Sequence, residues 1–411
     1  MRAAGAKRVL RSFASTASFL TGNCSVDHER KLFIALVGVL LGFGILMVHS
    51  ASITSRPSEV EQIYLSRHLV FVVIGLAAAT LAGLLPGWIW QRFAPWLFWC
   101  SFSVLVLVLV PGLGTRINGA QRWFRHGSLS VQPSELVKIT LPLYLCYLTS
   151  RRRDVLNSWL RGTLPVAFPL LLVVPAVMLE PDLGTALFLA ATGAIALFVG
   201  GWPIRNFLLM AVPAIPAVAV AVLHRPYQMQ RISGFLETWV DWTQAPYHLK
   251  QSLVTLGAGG MLGVGLGKGF QKLSFLPEAN TDFVFAVIGE ELGLLGALAV
   301  IGLWLAVYVA GLRLVAPLER NSFASRAAFV LLTQLVFQVA LNVAVVTAMV
   351  PPKGIPHPLI SYGGSNLVVS LVAVGIVLSL TRRERAPASS QCEMAMHPSP
   401  RMIENAGLSG T

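Results

Sequence analysis

A chain of 411 residues that is 55% hydrophobic and only 12% charged, with a mean hydropathy of +0.70, is not an ordinary soluble domain. The formal net charge is +13. A nucleic-acid partner would account for that charge, but no polar folded domain is left to present a binding face, so nucleic acid is excluded. Cys24, Cys100, Cys146 and Cys392 show no CxxC spacing, which gives neither a disulfide framework nor a zinc site.

Residues 1–30 are basic and small without a short apolar core and cleavage site, and read as a disordered cytoplasmic tail rather than a signal peptide. Ten apolar runs follow, each near the roughly 20 residues that cross about 30 Å of hydrocarbon. They lie at 32–52, 69–86, 93–111, 133–150, 163–179, 183–201, 204–223, 283–312, 327–350 and 365–381. The predicted fold is an all-α polytopic membrane protein. Its bundle of about ten transmembrane helices occupies 31–383, with a large extracytoplasmic loop, 224–282, between helices 7 and 8. Residues 384–411, rich in Ser, Pro, Ala and Met, read as a second disordered cytoplasmic tail.

An even number of spans puts both termini on one side. That side carries 19 of the 31 lysines and arginines and the opposite loops carry 11, so the termini are expected in the cytoplasm. The Gly- and Pro-rich connections 111–135, 179–184, 224–282 and 351–366 are then all extracytoplasmic. Functional residues favour loops on a rigid scaffold, so an outward-facing site is the economical inference. Ordinary outer turns are the alternative.

In chain order, Glu135 and Lys138 come first. Three residues apart near the outer end of the fourth span, they share a helix face, and such a buried pair hints at a polar cavity. Residues 257–269, GAGGMLGVGLGKG, invite a nucleotide reading, but they lack GxxxxGK[ST] and lie outside. In 276–293, LPEANTDFVFAVIGEELG, a helix beginning near Asp282 would set Glu290 roughly 12 Å deeper and about 80° around. Asp282 then stands alone at the water boundary, and no close carboxylate pair of the glycosidase kind forms. Glu290 and Glu291 would face partners within the bundle or a wet cavity. Gln334, Gln338 and Asn342 recur every fourth residue as one polar stripe, which interhelical hydrogen bonding explains without any function.

These segments carry a resemblance that covers residues 30–385. VHSAS (48–52), RWF with QPSELVK (122–138), PDLGTALFL (181–189), YQMQRISGFLETW (227–239), GLGKGFQKLSFLPEANTDFVFAVIGEELG (265–293) and PPKGIPHPLISYGGSN (351–366) resemble the SEDS family. That family comprises FtsW, RodA and SpoVE, and Lys353-Gly354 resembles the division-type FtsW branch more than RodA. Asn280 stands where the family usually has His, Asn366 where Ser is common, and Ala348 where Gly is usual.

The resemblance implies a peptidoglycan glycosyltransferase of the bacterial inner membrane. It would polymerise lipid II onto an undecaprenyl-pyrophosphate-linked glycan at the outer face, for septal cell-wall synthesis. The expected partners are a class B penicillin-binding protein, other divisome or elongasome membrane proteins, and membrane lipid. It implies Asp282 as the catalytic residue and no organic cofactor. Substrate contacts are expected from Arg122, Trp123, Glu135, Lys138, Asp182, Arg231, Lys272, Lys353 and Ser361, and structural polar roles from Glu290, Glu291, Gln338 and Asn342. A divalent ion, Mg or Mn, on Asp282 or Asp182 is the alternative to basic residues as the source of positive charge. A lipid II flippase and a RodA-like elongation polymerase are the alternative functions.

Overall fold

Long runs of Leu, Val, Ala and Phe between Gly/Pro punctuation have only one way to satisfy their backbone in hydrocarbon, which is to become helices. The computed structural model describes residues 2–52, 59–117, 120–126, 129–241, 245–271, 276 and 278–382. Among them are twelve α-helices: α1 (Arg2–Ser52), α2 (Glu59–Leu84), α3 (Gly87–Val108), α4 (Pro133–Arg151), α5 (Leu164–Leu179) and α6 (Leu183–Val199). They continue with α7 (Ile204–Leu223), α8 (Pro226–Val240), α9 (Tyr247–Ala258), α10 (Val284–Val315), α11 (Phe323–Val346) and α12 (Gly364–Leu380). Each expected span has its helix. Six described helices are long and apolar enough to cross a membrane, and α6, α7 and α12 hold shorter apolar stretches. Apolar side chains such as Val73 and Leu81 on α2, Leu208 and Val212 on α7, and Leu298 and Leu305 on α10 are exposed, as a lipid-facing surface requires. The backbone of α1 is helical from Arg2, through the stretch read above as a tail. The C-terminal tail lies outside the described residues.

Four features differ from the expected pattern. The 111–135 connection is not an irregular loop but an antiparallel ribbon, β1 (Thr115–Ile117), β2 (Ala120–His126) and β3 (Leu129–Val131). It is tied to α12 through Ser365, whose Oγ donates to Ser130 O at 2.9 Å and accepts from Gln132 N at 3.3 Å. The 224–282 loop holds α8 and α9, each opening beside a proline that cannot continue a preceding helix. The eighth span is broken at Gly293, which has φ 68° and ψ −168°. A side chain at that φ would be strained, and glycine carries no such cost. The opened carbonyls and amides are paired elsewhere: Val264 N and Gly265 N donate to Glu290 O and Glu291 O, and Leu294 N donates to Gly260 O. The glycine-rich segment therefore seals a helix break, which explains its composition without any ligand. Last, Asp282 precedes the Phe283 N-cap instead of lying within the helix.

Candidate functional site

Four connections converge at one end of the bundle: β2, the turn between α5 and α6, the turn before α10, and the loop between α11 and α12. Together with α8 they enclose a cavity of about 460 Å³. Asp282, Arg122, Trp123, Glu135, Asp182, Arg231 and Lys353, all expected from sequence, line it. Lys138 sits behind Glu135 instead, its Nζ 2.6 Å from Glu135 Oε1 and both side chains buried. Lys272 lies outside the described residues.

Ser361 is not at the cavity surface, which corrects the expectation that it binds substrate. Its hydroxyl donates to Thr281 O at 2.5 Å and accepts from His357 N at 2.7 Å. Tyr362 N donates to Asn280 O at 2.8 Å beside it. The SYGG turn thus grips the backbone of the Asp282 turn. Asn280 itself is absent from the cavity lining.

The polar stripe of α11 has a more specific task than interhelical adhesion. Asn342 Nδ2 donates to Asp282 O and to Ile355 O, both at 2.8 Å. Gln338 Nε2 donates to Pro356 O at 2.8 Å and to Asn366 Oδ1 at 2.9 Å. Glu290 and Glu291, both buried, hold the scaffold around the break. Glu290 Oε1 accepts from Phe270 N at 2.8 Å and Gln271 N at 3.1 Å. Ser50 of α1 donates to the Glu291 carboxylate.

The cations divide by commitment. Arg122 donates to Glu180 O at 2.8 Å and Pro181 O at 2.6 Å, and stands 3.5 Å from Asp182 Oδ2. It clamps the α5–α6 turn, where Asp182 caps α6 through Thr185 N and Thr185 Oγ1. Arg231 reaches Pro352 O at 3.3 Å. Lys353 makes no hydrogen bond to a described residue; its stem lies over Gly184 at the α6 N-terminus, and burial holds its ammonium below the usual lysine range. Among the described cations that line the cavity, Lys353 is the one left to meet a ligand.

Burial, then the neighbouring Glu278 and Asp182 charges, push the Asp282 carboxyl up to about 7, against the opposing pull of Arg231 and Lys138. Its Oδ2 faces Gly354, where an added Cβ would stand 2.8 Å away. Sequence reasoning passed over Glu278, Gln132 and Tyr362 as lining residues, because single polar side chains in loops carry no periodic signal.

It also passed over Glu180, fully buried with neither carboxylate oxygen hydrogen-bonded to a described residue. Burial, then Asp182, push this acid from 4.5 up to about 8. The folded state holds the proton more tightly than the unfolded chain, so the contribution of Glu180 to stability is fully present below pH 4.5 and is lost as the pH rises toward 8. Glu180→Gln should make that slope shallower and leave the share that Asp282, raised to about 7, contributes. Thermal unfolding in detergent between pH 5 and 8.5 measures it, and an unchanged slope in the variant would assign it to another group.

A divalent ion finds few side-chain donors here. Among the described residues no group of three His, Cys, Asp or Glu gathers to hold one, and Asp182 already serves Thr185 and Arg122.

The family described as cell cycle protein, FtsW/RodA/SpoVE, matches residues 30–386. The chain is 35% identical over 365 residues to the probable peptidoglycan glycosyltransferase FtsW of Geobacter sp. strain M18, covering 88% of this chain and 99% of that protein. It is 39% identical to the protein of the same name from Aromatoleum aromaticum, covering 86% and 87%. Among solved structures, a chain of a peptidoglycan synthase complex that coordinates polymerization and crosslinking superposes with a TM-score of 0.69 at 29% identity, covering 85% of this chain and 96% of that one. The rod shape determining protein RodA of Thermus thermophilus superposes with a TM-score of 0.62 at 29% identity, covering 85% and 95%.

Proposed function

This chain belongs to the FtsW/RodA/SpoVE family, and from that premise we propose that it is a lipid II polymerase of the division type. The observation that carries the chemistry is the placement of the half-buried Asp282 carboxylate and of Lys353, which makes no hydrogen bond to a described residue, in the lining of one cavity. The GlcNAc 4-hydroxyl attacks C1 of the MurNAc at the reducing end of the growing chain. Asp282 takes the hydroxyl proton as the new C1–O bond forms. The C1–O bond to phosphate breaks, and undecaprenyl pyrophosphate leaves with inversion. Pyrophosphate is already a good leaving group, so no strong acid is required. Its developing charge needs cations instead, and Lys353 with Arg231 supplies them.

A carboxyl held near 7 is half ionised at neutral pH, where a general base works best. The relatives named FtsW, and Lys353-Gly354, favour septal over elongation synthesis. The basic asymmetry supports cytoplasmic termini and an outer face for the cavity. A peptidoglycan synthase complex among the similar structures supports a class B penicillin-binding partner.

Purified protein, with and without that partner, is given lipid II and the products are run on a gel. Glycan strands should form, and a compound that blocks family 51 glycosyltransferases should leave them unaffected. Lipid II scrambled across vesicles without any strands would instead establish the flippase.

A further inference from the structure

Two segments far apart in sequence must hold a fixed separation for this site to work: the turn that carries Asp282, and the loop that carries Lys353. Neither is a regular element. Both hang from one amide. Asn342, fully buried on α11, donates one N–H to Asp282 O and the other to Ile355 O, each at 2.8 Å. Ile355 N in turn donates to Lys353 O at 2.9 Å, closing the tight turn whose middle residue, Gly354, faces the Asp282 carboxylate. The orientation of the amide is dictated by its neighbours, since flipping it would point a carbonyl oxygen at two others. Ser361 holds the adjacent Thr281 O from the opposite side of the same loop.

We propose that Asn342 is a positioning residue for polymerisation, a two-donor brace that sets the distance between the Asp282 carboxylate and the 353–355 turn. Asn342 touches no reacting atom. Its effect runs through the placement of the groups that do. The inference rests on the polymerase reading above, and adds to it a requirement for an amide donor at a helix position outside the cavity.

A residue that only stabilised the fold would change how much folded protein survives. A positioning residue changes how each surviving molecule reacts. Asp282 is faced by Glu278 of its own turn, Arg231 of α8, Asp182 at the α6 N-cap and Lys138 of α4. With the brace removed, the turn loosens and water reaches the carboxylate. Its ionised form gains solvation, and the acid limb of the pH–rate profile should move to lower pH.

The test measures kcat, KM for lipid II and the pH profile of folded protein in detergent. Asn342→Ala and Asn342→Asp should lower kcat by at least about 10-fold, since misplacement on the order of 1 Å can cost 10²-fold. KM should hold within about 3-fold, because uniform substrate binding is untouched. The acid limb should shift down in Asn342→Ala. Gly354→Ala approaches the same carboxylate from the other side with the brace intact, and should also lower kcat while folding normally. Asn342→Gln, which keeps the amide but moves it by one methylene, should lower kcat as well and decides the matter if the other Asn342 variants do not fold. Gln338→Ala is the comparator: it frees Pro356 O and Asn366 but leaves the Asp282 turn bonded, so folded yield should drop without movement of the acid limb.

Active wild-type protein with unchanged kcat and pH profile in folded Asn342→Ala, or in Asn342→Gln if the former does not fold, would overturn the brace and leave the polymerase reading standing. An equal pH shift in Gln338→Ala would also overturn it, by reducing Asn342 to one of several general loop clamps. A wild-type protein that makes no strands would remove the polymerase reading itself, and this inference with it.

Discussion

Asp282→Asn should leave a folded protein that makes almost no glycan. The substitution keeps the size of the side chain and removes the proton acceptor. The turn does not depend on the carboxylate for its shape, because Asn342, Ser361 and Tyr362 hold it through the backbone of residues 280–282. General-base catalysis is worth roughly 10²–10⁴-fold, so residual strands should be barely detectable at ordinary lipid II concentrations. The wild-type rate should itself fall as the pH drops below about 7, where burial and the neighbouring carboxylates keep Asp282 protonated. Glu290→Gln is the internal control. An amide oxygen can still accept from Phe270 N and Gln271 N, so that variant should retain partial activity at reduced stability. Strand lengths on a gel, at matched levels of folded protein, give the comparison. A normal ladder from Asp282→Asn with none from Glu290→Gln would move the catalytic role to the buried glutamate.

The helices were legible because hydrocarbon leaves few alternatives. Each apolar run of sufficient length became a helix, and its ends fell within a few residues of the Gly/Pro punctuation. The ribbon could also have been read. Asn118-Gly119 lies between Ile117 and Ala120, which pair directly, and Gly127-Ser128 lies between the paired His126 and Leu129. Two-residue glycine-bearing connections of this kind are strong hairpin signals.

The break at Gly293 could not be read from hydropathy, because apolar residues continue on both sides of it and the backbone partners at 260–265 are what mark it. Ala348 is a sharper case. It stands where the family usually has Gly, and its φ of 54° supplies the reason: a left-handed position that costs an alanine roughly 1–2 kcal/mol.

Among site residues, type and location were legible but commitment was not. Arg122 and Lys353 look equivalent in sequence. One is spent on two carbonyls and a carboxylate, and the other makes no hydrogen bond to a described residue. Ser361 looked like a substrate hydroxyl for the same reason, since spacing does not say which way a loop residue turns.

The second large effect is expected at the floor of the cavity. Glu135 lies in the first turn of α4, where a negative charge also suits the helix dipole, and it accepts from Lys138 Nζ at 2.6 Å. Both side chains are about 95% buried. Glu135→Ala leaves the ammonium with little but the Phe188 ring, whose centroid is 5.2 Å away. An uncompensated buried charge costs about 3–5 kcal/mol, a large part of the stability of any single domain. Folded yield and polymerisation should both fall steeply. Glu135→Gln keeps a hydrogen-bond acceptor and should be milder.

The double variant Glu135→Ala/Lys138→Met separates the two contributions. Removing both charges should restore stability, because a buried pair adds little over apolar neighbours of similar volume. If activity returns along with the fold, the pair is only scaffolding. If the fold returns and activity does not, Glu135, which lines the cavity, acts on the substrate directly. Wild-type yield and rate from Glu135→Ala alone would show that the pair does neither.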